Sequence, residues 1–214
     1  MNPFWLTLQA AVVSTTATFF MGLWTAHHVV KAKRFQGVYD ALLTLPMILP
    51  PTVTGFFLLQ LFGRNSLLGQ ALDWLGVQVV FSFWGIVVAS VFVSLPLMYR
   101  TVRGGLEQLD PVVLDAAATL GLSQRRIFWT IQVPLAKNSL LAGTVLAFSR
   151  GLGEFGATMM LAGNIPGRTQ TMSVAVFAAV NAGDVASAYR WAGILSLLSL
   201  VAMLVMNGVS KQRR

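Results

Sequence analysis

The run Asp110-Pro111-Val112-Val113-Leu114-Asp115-Ala116-Ala117-Ala118-Thr119-Leu120-Gly121, followed by Ile131-Gln132-Val133-Pro134, carries the punctuation of a helix, a turn and a second helix. Asp110 is placed to cap a helix whose first residue, Pro111, needs no N–H, and Gly121 supplies the left-handed residue that ends it. Ala116, Ala117 and Ala118 leave a small face on which another protein can approach the backbone, while Val113, Ala117 and Leu120 fall along one apolar side. A second start follows at Ser123, and Pro134 marks a later break. Periodicity alone leaves two readings open, an amphipathic helix lying on a bilayer and a helix that docks a partner.

On both sides of this run the chain is built for lipid. Of its 214 residues 56% are hydrophobic and 10% charged, and the mean hydropathy is +0.70; soluble domains of this size carry about a quarter charged residues. A crossing helix needs about 20 mostly apolar residues. Five stretches qualify: about Leu6 to Val30, Ala41 to Phe62, Val79 to Met98, Ser139 to Ala162 and Trp191 to Val209. They predict one all-α polytopic membrane domain over 1–214, with the segment at about 100–137 as its longest internal loop. The first stretch has no charge before it and Lys31, Lys33 and Arg34 after it, the reverse of a cleavable signal, and is read as a retained helix. The apolar stretch Met172 to Val180 would reach only about 14 Å and is read as a re-entrant or interfacial helix. Ser66 to Leu75, with Leu67, Leu68, Ala71, Leu72 and Leu75 at helical spacing, reads as a second short helix. Both are expected on the external side, capping the outer mouth, either as closures of the bundle or as docking elements.

Charge sets the expected orientation. With Lys31 in the cytoplasm and the sides alternating, the inner segments hold Lys31, Lys33, Arg34, Arg100, Arg103, Arg125, Arg126, Lys137, Lys211, Arg213 and Arg214, out of 15 Lys and Arg. Arg64, Arg168 and Arg190 fall outside and Arg150 within a span. An external N-terminus and a cytoplasmic C-terminus follow, with Trp5, Trp84 and Trp191 near the outer interface. The net charge of +8 lies between apolar segments rather than on one face or tail, which argues against nucleic acid. Cysteine is absent, which excludes disulfides and thiolate metal sites. His27 and His28 are adjacent, with no carboxylate nearby in sequence, a poor metal pattern.

Two spans contain breaks. In Leu45-Pro46-Met47-Ile48-Leu49-Pro50-Pro51-Thr52-Val53-Thr54-Gly55 three prolines remove backbone donors. Such a break is tolerated in hydrocarbon only where protein or a water-lined cavity satisfies the freed carbonyls, so this span is expected to face the interior. Thr52 and Thr54 offer hydroxyls either to a passing anion or to the broken backbone. In Phe148-Ser149-Arg150-Gly151-Leu152-Gly153-Glu154-Phe155-Gly156-Ala157-Thr158, Arg150 and Glu154 lie roughly 18 and 24 Å along a helix counted from Asn138, inside the membrane. Each charge near the bilayer centre costs about 2.5 to 3.5 kcal/mol on insertion scales, so the two are expected to face the interior and pair at i, i+4. The pair serves either to hold the bundle together or to line and gate an anion path.

The spacing of Asp115-Ala116-Ala117, Gly121 and Ile131-Gln132-Val133-Pro134 resembles the EAA loop of ABC importer permeases, with Asp in place of Glu at 115 and Val in place of Leu at 133. The segment Ser149 to Thr158, the following Ala162-Gly163-Asn164-Ile165-Pro166-Gly167-Arg168-Thr169-Gln170-Thr171 and the Leu-Pro-x-x-Leu-Pro-Pro run are similar to the molybdate permease family, and more loosely to its sulfate and tungstate relatives. The resemblance covers nearly the whole chain. It implies the ABC importer permease fold, with about five transmembrane helices and residues 111 to 121 as a cytoplasmic coupling helix seated in a groove of the ATPase. Asp115, Ala116, Ala117, Gly121, Arg125 and Arg126 are then the coupling residues, and Pro50, Thr52, Thr54, Arg150, Glu154 and Thr158 the pathway or gate. It further implies a homodimer on two ATPase subunits, fed by a periplasmic oxyanion-binding protein, in the cell inner membrane. No Walker A pattern occurs, so ATP and Mg belong to the partner and this chain carries no cofactor. An intramembrane enzyme using Glu154 would need a nucleophile or metal pattern beside it, and none is recognisable. A channel or secondary transporter has no use for a coupling loop.

Overall fold

The computed structural model describes residues 1–32 and 34–211 and is helical, with no strand among them. Lys33, Arg213 and Arg214 of the inner charge set lie outside the described residues. In chain order the helices are α1 (Pro3–Lys31), α2 (Gln36–Ile48), α3 (Pro51–Phe62), α4 (Leu67–Trp74), α5 (Phe83–Glu107), α6 (Pro111–Thr119) and α7 (Gln124–Ile127). A π-helix at Phe128–Gln132 leads into α8 (Val133–Leu135), and α9 (Lys137–Leu152), α10 (Gly156–Leu161), α11 (Met172–Asn181) and α12 (Val185–Lys211) follow. Three helices, α1, α5 and α12, are each long and apolar enough to cross a membrane, and two bent pairs raise the number to five.

The centre is the pair α1 and α5. Asn2 caps α1 by accepting a hydrogen bond from the Phe4 N–H at 3.0 Å, and Pro3 stands at N1, where its missing N–H does no harm. Ser14, Thr18, Gly22 and Ala26 recur every fourth residue along α1 and are all buried. Small residues at this spacing let two backbones approach, which in lipid replaces the absent hydrophobic drive between helices. At Gly22 a Cβ would stand 2.5 Å from Met98 Cγ of α5, and one level away Thr18 and Ser94 share a 3.1 Å hydroxyl bond. Leu6 and Ala10 pack with Ile86 and Val87. Position rises together on both helices, so α1 and α5 are parallel. Along α9 the order reverses: Gly143 faces Met98 and Thr101, and Gly151 faces Ser90. Helix α9 therefore runs antiparallel to α5, which is the alternation successive membrane crossings require.

The structure sharpens both predicted breaks. The second span is not one kinked rod: α2 and α3 differ in direction by 112°. Pro46 stays within α2, and the turn falls at Leu49, whose ψ of 142° is the extended conformation imposed by a following proline. The fourth span is not one helix either: α9 ends at Leu152, Gly153 is its C-cap, and the chain re-enters a helix only at Gly156. The break expected at Pro134 falls at Ala136, where the chain turns by 71°, after a turn wound as a π-helix. Proline cannot donate to a helical carbonyl, and the wider π turn ahead of it accommodates that loss.

Both predicted short helices form. Ser66 caps α4 by accepting from the Gly69 N–H at 2.8 Å, and Thr171 caps α11. The Met172 N–H donates to Thr7 Oγ1 at 2.8 Å and the Met1 amine to the Gly167 carbonyl at 2.7 Å, so the loop before α11 is fastened to the start of α1. The 100–137 segment follows the other end of α5, so α11 and the loop helix α6 sit at opposite ends of the bundle.

Candidate functional site

Glycine brings the two breaks together. A Cβ at Gly156 would lie 3.0 Å from Pro51 Cβ and 3.2 Å from Thr52 N, and a Cβ at Gly55 would lie 2.7 Å from Ala157 Cα. The start of α3 thus packs closely on α10, and at Gly55 a side chain would collide with the Ala157 backbone. The residues predicted for the pathway, Pro50, Thr52, Thr54, Glu154 and Thr158, which are far apart in sequence, lie on or beside this junction.

Arg150 and Glu154 pair as expected, with Nη1 2.7 Å from Oε2, although Glu154 stands beyond the end of α9. The N–H does not point squarely at Oε2, which accepts no hydrogen bond, so the contact is one of charge. Glu154 Oε1 accepts from the Ala157 N–H at 2.8 Å and so caps the first turn of α10. The carboxylate is fully enclosed, with 2% of its side chain exposed, whereas Arg150 keeps 32%. Thr54 and Thr158 are buried, and neither hydroxyl has a partner. Thr52 is exposed. A buried hydroxyl without a partner is costly, which makes these two the outstanding polar groups of the junction.

The other predicted set lies on the loop. Asp110 accepts from the Val112 N–H at 2.9 Å. Gly121 has φ +82°, the Leu122 N–H returns to the Ala117 carbonyl at 3.2 Å and the Gly121 N–H to Ala118 at 3.0 Å, which together close a Schellman motif. Ala117 turns inward and is buried, so Val113, Ala117 and Leu120 do not share one free face. The free face holds Val112, Val113, Asp115, Ala116 and Leu120, with Leu120 82% exposed. Arg125 and Arg126 follow on α7, both exposed. The residues predicted for coupling and those predicted for the pathway lie far apart: from Ser90, beside Gly151, to Glu107 the distance along α5 is roughly 26 Å.

One cluster escaped the sequence reading. Asp40 of α2 accepts from Arg103 and from the Tyr99 hydroxyl, Arg103 Nε reaches Glu107 Oε1 at 2.7 Å, and Gln36 Nε2 donates to the same oxygen at 3.2 Å. This network clasps α2 to the end of α5, three residues ahead of the helix cap at Asp110. The signal was present, since Asp40 is the first acidic residue of the chain and the next is Asp73. Among the described residues no group of His, Asp and Glu side chains could hold a metal ion; the His27 ring lies 3.9 Å from the Phe128 ring, tilted by 50°.

Comparison with known proteins gives the same outline. Residues 18–214 match the model of the binding-protein-dependent transport system inner membrane component family. The chain is 38% identical over 221 residues to the molybdenum transport system permease protein ModB of Escherichia coli (strain K12), covering 100% of this chain and 96% of that one. It is 36% identical to the sulfate transport system permease protein CysT of Salmonella typhimurium, over 94% of this chain and 73% of the relative. Its fold superposes on a chain of the MetNI methionine ABC transporter, in a structure described as inward facing, with a TM-score of 0.74 at 14% identity, over 98% of this chain and 94% of that one. By the match over residues 18–214 and the identity with full-length relatives, the chain belongs to the binding-protein-dependent transport system inner membrane components.

Proposed function

We propose that the chain forms the translocation path for a tetrahedral oxyanion, molybdate and with it tungstate, in an ATP-driven importer. Two copies enclose the path, two cytoplasmic ATPases dock on α6, and an external binding protein delivers the ion. The N-terminus lies outside and the C-terminus in the cytoplasm, as the inner excess of Lys and Arg favours.

The observation that carries this reading is the junction of the two breaks. It offers an anion two buried threonine hydroxyls without protein partners and the partly exposed side chain of Arg150, while its carboxylate is already paired with that arginine. Hydroxyl donors suit an oxyanion. A net-neutral lining binds weakly, and weak binding lets an ion leave as readily as it enters. Motion at α6 reaches the junction along α5, and through Asp40 and Arg103 also along α2, whose far end is the Leu49 turn into α3. Selection among similar ions then falls to the binding protein, because a weak path has little contact energy with which to discriminate.

In vesicles holding the permease, its ATPase and a loaded molybdate-binding protein, ATP is expected to drive accumulation of labelled molybdate, with tungstate carried within about a factor of two and sulfate near background. The relative at 36% identity named for sulfate makes the competing outcome specific. Preferred uptake of sulfate under the same conditions would move the substrate to that ion and leave the fold and coupling unchanged.

A further inference from the structure

We infer that the groove between the second half of α1 and the π-helix is a binding site for an anionic phospholipid, with one acyl chain in the groove and the phosphate at its basic end. The groove has a volume of about 420 Å³. Leu23 and Phe128 form its floor and Phe20, Trp24 and Trp129 its walls, and no acidic residue lines it. The floor is buried, whereas Phe20, Trp24 and Trp129 are 61%, 63% and 53% exposed, so this chain leaves the aromatic walls uncovered. Along α1 the groove runs from Phe20 to His27, roughly 10 Å, enough for part of an acyl chain.

The π-helix builds the site. It carries Phe128 and Trp129, whose rings meet edge to face at 5.0 Å, and the Phe128 ring closes on His27 at 3.9 Å. That contact holds the last turns of α1 beside the start of the π-helix. Lys31 lies one turn beyond His27, and Arg125 and Arg126 lie three and two residues before Phe128; all three are exposed and without an ion pair among the described residues.

Acyl chains gain little by leaving other acyl chains, so the groove alone would not choose a lipid. The cations choose it. A basic rim between helices at the membrane surface selects anionic headgroups, each Lys or Arg favouring them by roughly fivefold. Trp24 and Trp129 suit the same boundary, where indoles are favoured.

The intact permease–ATPase complex, offered equal amounts of phosphatidylglycerol and phosphatidylethanolamine with identical chains, tests this by native mass spectrometry. Phosphatidylglycerol is expected to be retained at least fivefold over phosphatidylethanolamine. Lys31→Glu should lower the ratio at least fivefold with the complex still assembled, and Lys31→Gln should lower it severalfold should the reversal fail to assemble. Trp129→Ala should reduce retention of both lipids. Equal retention in the parent complex, or an unchanged ratio in an assembled Lys31 variant, overturns the inference. So does Trp129→Ala splitting the permease pair with lipid selectivity intact, which would make the groove a contact with the second copy.

Discussion

Arg150→Leu is expected to abolish transport and to destabilise the permease more than Glu154→Leu does, and the double change Arg150→Leu/Glu154→Leu to recover much of the stability lost by the first. Glu154 is enclosed and its nearest countercharge is Arg150, 2.7 Å away. Removing the arginine leaves a buried carboxylate unpaired, a defect that costs about 3 to 5 kcal/mol. Removing the glutamate is milder, because Arg150 keeps a third of its side chain exposed and can reach a wetter position. It also deletes the cap that Glu154 Oε1 places on the Ala157 N–H, a loss of about 1 kcal/mol that the double variant retains. Thermal unfolding of the three variants in detergent gives the ordering. Single changes whose effects simply add would show that the two charges act independently.

Ala116→Trp is expected to leave insertion and stability intact while abolishing co-purification of the ATPase. Ala116 lies on the free face of α6, where bulk meets nothing in this chain but blocks a seated partner. Ala117→Trp provides the contrast. Ala117 is buried against its own chain, so a tryptophan there overpacks the loop, at a cost of about 1 to 3 kcal/mol, before any partner arrives. Gly121→Val acts differently again, by forcing a β-branched residue to φ +82° and opening the Schellman closure. Affinity pull-down of the ATPase, alongside permease melting, separates the three. Normal ATPase recovery with Ala116→Trp would remove α6 from the interface.

What the sequence disclosed followed from rules that act locally. Asp110, Pro111 and Gly121 mark the ends of α6 through backbone chemistry that no distant contact overrides, whereas α4 and α11 were legible from their apolar residues and not from their caps at Ser66 and Thr171. The Arg150 and Glu154 pair was legible from spacing, but its geometry was not. An i, i+4 interval implies a continuous helix, whereas Gly153 ends α9 and leaves Glu154 to cap the next helix. The inward turn of Ala117 was hidden because helical periodicity fixes which residues share a face, not which face the rest of the chain covers. The meeting of Gly156 with Pro51, and of Gly55 with Ala157, depends on residues about a hundred positions apart, which no single-chain pattern brings together. Asp40 was passed over because Arg103 had been counted for its side of the membrane rather than for a partner.

The junction of the two breaks is expected to lie on the ion path and to open with the transport cycle. Because the chain contains no cysteine, single thiols can be placed without removing any. Thr54→Cys and Thr158→Cys, with Val12→Cys on the exposed side of α1 as a reference, can be tested in the assembled complex with a small membrane-impermeant thiol reagent. Both threonines are enclosed in this structure. Labelling at both is predicted to change at least severalfold between nucleotide-free and ATP-trapped complexes and to fall when molybdate is present, while Val12→Cys stays unreactive in lipid. Thiols at 54 and 158 that remain unlabelled in every state, in complexes that still transport, would contradict the account.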